Sequence, residues 1–349
     1  MTDKVLMQDQ NKEKRKYKTK SSYLSDRLLH FYDTSKRVLP WRDNKIPYYI
    51  WISEIMLQQT RVEAVIPYFN RFIKALPTVG DLAKVDEDSL LKLWEGLGYY
   101  NRARNLKKAA IKIETEFYGV MPQTKDELES LPGIGPYTSG ALLSIAYEQQ
   151  VAAVDGNVLR VFSRFYQIEE DIKNPKTKAT IKALVQDSLP QSRNGDYNQA
   201  IMELGATICI PNGRPLCEIC PLKDECLSYI NNMQTVLPFK SKKKPRRIEK
   251  RTIYIYKYKN LFAIKKRPAT GLLASMYEFI NVDGHIKETL TKLPNSKHIF
   301  THLEWNMIAY FEEVSTKNKD YIWVTKEEIE NKYSIPNAFR IYKDYVLNN

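Results

Sequence analysis

The chain has 349 residues, a formal net charge of +13 and a hydrophobic content of 43%. That length suits two domains, no apolar run approaches the roughly 18 residues of a membrane span, and the polar, mixed-charge start argues against a signal or transit peptide. A cytoplasmic protein is expected, whose excess charge sits mainly in residues 1–20 and 240–251. These are two basic arms that any polyanion attracts, and they do not locate a groove.

Residues 1–20 read as a disordered basic extension. From Ser21, Tyr23, Leu24, Leu28 and Phe31 recur at helical spacing. Pro40 and Pro47 keep the next stretch extended, and a long helix is expected after Pro47. On it Glu54 has Ile50 and Trp51 one turn before, Leu57 and Gln58 one turn after. Such a glutamate is either a solvated helix-surface residue or a desolvated carboxyl whose raised pKa suits a general acid.

Two short helices joined by a GLGYY turn follow. There Leu97, Tyr99 and Tyr100 precede Arg102, Arg104, Lys107 and Lys108. Aromatics beside cations suit stacking on bases while phosphates are held nearby. The alternative is that the tyrosines cap the core, which is the expectation for Tyr100.

The stretch from Leu131 to Val158 opens with a tight turn in which Gly133 and Gly135 flank Ile134. Glycine permits positive φ and close backbone approach there. A helical run through Tyr137, Ala141, Leu142 and Ile145 follows, and N–H groups at such a helix start form an anion site that suits DNA phosphate. Asp155 begins the next helical pattern and is at least an N-cap. Residues 160–208 read as helices. All four cysteines then fall in one loop, Cys209, Cys217, Cys220 and Cys226. Four thiolates at that spacing hold zinc or an iron–sulfur cluster. Residues 231–250 form a basic linker. From Arg251 the alternation and a Lys-Asn turn read as a β-hairpin opening an α+β domain.

LPGIGPYTSGAL followed by VDGNV resembles the helix-hairpin-helix plus aspartate signature of base-excision DNA glycosylases related to endonuclease III. With WISEIMLQQT and the PWR stretch before it, the resemblance is to the MutY-type adenine glycosylases. That resemblance implies several roles. Glu54 matches the acid that protonates the target adenine, and Asp155 the carboxylate that stabilises the oxocarbenium-like sugar. Asn157 matches a position that supports the site. Arg42, Gln59 and Thr60 match residues near the DNA and lesion, and the turn carrying Leu97 and Tyr99 wedges into the duplex, with Tyr99 the candidate wedge. Tyr137 stands where bifunctional relatives carry a lysine, which implies base removal without efficient strand cleavage. The cysteines match the loop of a 4Fe-4S cluster, although the first gap is seven residues here and usually six. Phe300, Thr301 and His302 match the loop that detects 8-oxoguanine, with Thr where Ser is usual. No run of glutamates resembles a Nudix hydrolase box.

The expected architecture is a mainly α helix-hairpin-helix glycosylase core over 21–230, with the hairpin at 131–146 and the iron–sulfur loop at 209–226. A smaller α+β Nudix-like domain for lesion recognition follows over 251–349. The resemblance implies a monomeric, monofunctional adenine glycosylase acting on double-stranded DNA with A:8-oxoguanine or A:G mispairs, without membrane association. An endonuclease III-like lyase and a zinc-held DNA-binding protein are the competing readings.

Overall fold

A computed structural model describes residues 21–241 and 245–349. The expected N-terminal extension lies outside the described residues, as does the centre of the basic linker. Among the described residues no helix is long and apolar enough to cross a membrane. The chain forms two compact units. One contains the described residues up to Gln58 with those from Lys112 to 241, and the other contains Gln59–Ile111 with those from 245 to Asn349.

The first unit is helical. Helix α1 (Ser21–Ser35) covers the residues whose periodicity predicts it. Helix α2 (Pro47–Leu57) starts at Pro47 itself, since a proline at the first helical position loses only an N–H that has no partner there. It is shorter than expected: the chain breaks at Gln59, whose φ is +61°. The hairpin is α7 (Lys125–Glu129), a turn, and α8 (Pro136–Ile145), followed by α9 (Gly156–Phe165), α10 (Pro175–Ser188) and α11 (Asn194–Thr207). Leu24 and Leu28 of α1, Phe162 of α9, Val185 of α10 and Leu204 of α11 meet in its core. Each such side chain contributes about 1.5–3 kcal/mol by leaving water.

In the second unit, α3 (Val62–Ala75), α4 (Val79–Lys84) and α5 (Glu87–Leu93) precede the GLGYY turn. The turn joins two helices as expected, α5 and α6 (Asn101–Glu116), but α6 is long and a further short helix, α4, precedes α5. A mixed sheet follows. Strands β1 (Arg247–Tyr258) and β2 (Leu261–Lys266) form the expected hairpin, with Lys259 at φ +55° in its turn. Strand β3 (Thr291–Ile299) pairs antiparallel with β4 (Leu303–Glu313), which runs parallel to β1. Alternation along β1 sends Ile253 and Ile255 into one core, with Trp305 and Phe339, and Tyr254 to the opposite face.

Candidate active site

In the first unit, α2 is buried along most of its length and carries Glu54 inward, 7% exposed. Gly133 turns the chain at φ +84°, whereas Gly135 is extended and caps α8. A side chain at Gly135 would meet nothing within 4 Å, so its glycine is not required by local packing. The turn delivers Tyr137 to the first turn of α8, where its hydroxyl donates to Glu54 Oε2 at 2.5 Å and lies 3.8 Å from Met202 Sδ.

Burial pushes the Glu54 carboxyl up to about 7, and the nearby Asp155 charge adds to the rise. The Tyr137 hydrogen bond and the Arg42 charge oppose it. Asp155 caps α9. Its Oδ1 accepts from the Asn157 and Val158 N–H groups, both at 2.8 Å, and its Oδ2 from Asn157 Nδ2 at 2.7 Å. Burial raises the Asp155 pKa as well, against those three donors. The two carboxyls therefore shift in the same direction, and what separates them is hydrogen bonding. Donors surround the aspartate charge, while a single phenol faces the glutamate.

Arg42 is not presented at the surface. Its guanidinium donates to Glu203 Oε2 at 2.8 Å and to the Arg37 carbonyl at 2.9 Å, and it lies over the Tyr32 ring. The Glu203 carboxylate has no side-chain exposure and also accepts from Arg37 Nε at 2.6 Å. Burial alone would raise the Glu203 pKa, but the two arginines hold it lower. Arg42 thus brings a paired positive charge to the neighbourhood of Glu54.

The four cysteines line one small cavity with Arg164, and the loop between Cys209 and Cys217 turns at Gly213, whose φ is +76°. Arg164 Nη1 donates to Cys209 Sγ at 3.2 Å. Burial raises the thiol pKa values of Cys217, Cys220 and Cys226, and neighbouring thiolate charge adds to each. Such crowding suits ligands whose charge a metal group neutralises. Among the described residues no three His, Cys, Asp or Glu side chains surround a single ion. The donor set is all sulfur, which fits an iron–sulfur cluster. Arg160 of α9 links this loop to the aspartate site. It donates to the Cys209 carbonyl and to Asn157 Oδ1, both at 2.7 Å. Gly205 makes that approach possible, because a Cβ there would lie 2.6 Å from Asn157 Cβ.

In the second unit Tyr99 stands 47% exposed on the GLGYY turn, while Tyr100 is buried with its hydroxyl accepting from Gly96 N. Leu97 is also buried, turned into the unit rather than outward. Gln59 is exposed, and Thr60 beside it is half-buried. Thr301 and His302 are exposed, while Phe300 packs edge-on against Trp305 and His298. The GLGYY turn, Leu272, Leu273 and the loop from His298 to Leu303 line one cavity of about 530 Å³.

Residues 52–187 match the HhH-GPD superfamily base excision DNA repair proteins, and residues 251–344 match the NUDIX domain. The adenine DNA glycosylase of Buchnera aphidicola subsp. Baizongia pistaciae is 37% identical over 317 residues, covering 85% of this chain and 89% of that relative. The chain belongs to the adenine DNA glycosylase family. The adenine DNA glycosylase of Mus musculus is 33% identical over 399 residues, covering 91% of this chain and 77% of that one. A solved thermostable thymine-DNA glycosylase superposes with a TM-score of 0.55 at 28% identity, over 60% of this chain and 96% of that one. This member of the adenine DNA glycosylase family is an enzyme that cleaves N-glycosyl bonds in DNA, with a helical core and a Nudix-like C-terminal domain.

Sequence reasoning missed Glu203, Arg37 and Arg160 in this glycosylase. A signal existed for the first, since Glu203 interrupts a helix of small and apolar residues, NQAIMELGAT, at a position facing inward.

Proposed function

We propose that this glycosylase is monofunctional and removes adenine opposite 8-oxoguanine, and more weakly opposite guanine. The observation that carries the reading is the buried Glu54 carboxyl, held near neutrality and hydrogen-bonded by Tyr137, in the same site as Asp155. The names of the relatives support adenine as the base removed. The Nudix-like domain, with Thr301 and His302 on an exposed loop, supports a reader of the opposite base.

In the proposed reaction the Glu54 carboxyl gives its proton to an imidazole-side nitrogen of an extruded adenine. The glycosidic bond then breaks, and its electron pair leaves with the base. Asp155, whose charge is held by three N–H donors, stabilises the oxocarbenium-like sugar. Water adds to the anomeric carbon, and the proton it sheds restores the Glu54 carboxyl. A tyrosine at 137 offers no amine for a Schiff base, so the strand stays intact. Cys209, Cys217, Cys220 and Cys226 would hold a 4Fe-4S cluster, which when bound fixes the shape of their loop.

The direct test is an end-labelled duplex with one adenine opposite 8-oxoguanine, read with and without hot alkali. Strand scission after alkali alone is the expected result. Scission without alkali overturns the monofunctional reading.

The pH dependence follows from the sign of the shift. Glu54 is protonated below about 7 and ionised above it, so single-turnover excision is expected to fall about tenfold per pH unit on the alkaline side. A flat profile from about pH 6 to about 9 removes Glu54 as the acid. For the recognition loop, Thr301→Ala or His302→Ala is expected to reduce the preference for 8-oxoguanine over guanine by about tenfold. Equal losses on both mispairs would show that the loop does not read the lesion.

A further inference from the structure

Two exposed residues of the second unit hold backbone conformations that side chains rarely adopt, Gln59 at φ +61° and Tyr99 at φ +50°. For an aromatic residue this costs on the order of 1–2 kcal/mol and persists only where the surroundings over-determine it. Both positions connect to one side chain. Arg102 is 9% exposed, and its guanidinium lies 5.4 Å from the Trp94 ring centroid and 5.5 Å from that of Tyr99. Its Nη2 donates to the Gly98 carbonyl at 3.1 Å and to the Leu97 carbonyl at 3.3 Å, the two peptide groups that lead into Tyr99. The same nitrogen donates to Thr60 Oγ1 at 3.3 Å, one residue beyond Gln59. Trp94 Nε1 closes the layer by donating to the Gly98 carbonyl at 3.0 Å, and Arg102 N–H donates to the Tyr99 carbonyl at 2.9 Å.

We propose that Arg102 is the positioning residue that locks Gln59 and Tyr99 into one preformed two-pronged probe, so that both enter the duplex together when adenine is extruded. This rests on the reading of those two residues as the ones that meet DNA. The planar fork is what the role requires. One flat cation lies within cation–π reach of two rings while bonding acceptors from two segments, which a lysine ammonium does at fewer points. A probe assembled before contact spends no ordering entropy at the moment the base leaves the stack. The Glu54 chemistry lies in the first unit, and Arg102 acts on extrusion alone.

The test uses the full chain and a duplex carrying 2-aminopurine, a fluorescent adenine analogue, opposite 8-oxoguanine. Fluorescence on binding reads extrusion, and single-turnover excision of adenine reads the sum of extrusion and chemistry. Arg102→Met is expected to lower extrusion and excision together by roughly tenfold, leaving the pH midpoint of excision in place. Arg102→Lys should recover part of the loss. In a Gln59→Ala/Tyr99→Ala background, Arg102→Met should add little further loss, because both prongs it holds are gone. A purely structural role predicts additive losses, and that result overturns the proposal, as does normal extrusion in Arg102→Met. If Arg102→Met does not fold, the same cycle is run with Arg102→Lys and judged by the same additivity. If Tyr99→Ala and Gln59→Ala each extrude normally, the reading of the probe itself has failed, a result distinct from failure of Arg102 alone.

Discussion

Glu54→Gln is expected to lower adenine release by about three orders of magnitude while leaving duplex affinity nearly unchanged. The amide keeps the shape and still accepts a hydrogen bond from Tyr137, so the pocket should survive. What it lacks is the proton. Adenine is then a poor leaving group, and Asp155 alone cannot offset the charge left on the departing base. Measuring single-turnover excision beside duplex binding separates the two effects. Retained excision would falsify the assignment of the acid, and lost binding would mean that the glutamate shapes the pocket instead. A milder change, Tyr137→Phe, removes the one hydrogen bond that lowers the Glu54 pKa, and should move the alkaline limb of the pH profile upward.

The largest stability effect should come from Glu203→Ala. That carboxylate has no side-chain exposure and binds Arg37 and Arg42. Removing it leaves the Arg42 guanidinium, 13% exposed, without the carboxylate it binds. A loss of about 3 kcal/mol or more is expected, read as a fall in thermal midpoint and in denaturant midpoint. Glu203→Gln keeps hydrogen-bond acceptance without the charge and should cost less. A midpoint within about 1 °C of the parent for Glu203→Ala would mean that the arginines find other partners or water.

The sequence was most legible where chemistry and local geometry are carried by the same few residues. Glu54, Tyr137 and Asp155 each sit at a helix position that periodicity or capping marks, and the structure brings all three into one site. That the four cysteines gather around one cavity was legible from their clustering in one loop, and burial of Tyr100 was the expectation for its side of the turn. Legibility failed where the partner is distant in the chain. Nothing near Arg42 says that Glu203 meets it across 161 positions, so a buried ion pair looked like a surface contact. Leu97 was misplaced for a related reason: turn residues are usually solvated, and only the packing of the turn decides which way an apolar side chain points. The break at Gln59 that shortened α2 carries no glycine or proline to announce it.

The second unit is built from a middle segment and the end of the chain. Lys266 pairs with Asp88 across 178 positions, and Lys343 pairs with Glu95 across 248. Ser334 bonds the Leu91 carbonyl, and Asn337 the Gly96 carbonyl just before the Tyr99 turn. During synthesis the segment that carries Gln59 and Tyr99 therefore leaves the ribosome long before the residues that it finally packs against. At ordinary translation rates of about 5–20 residues per second it waits on the order of ten seconds or more for the helix over Arg340–Asn348. The turn proposed to probe DNA reaches its finished surroundings only when residues up to Asn348 have been made, so a nascent or prematurely ended chain holds Glu54 and Asp155 of the first unit before that turn is fully packed.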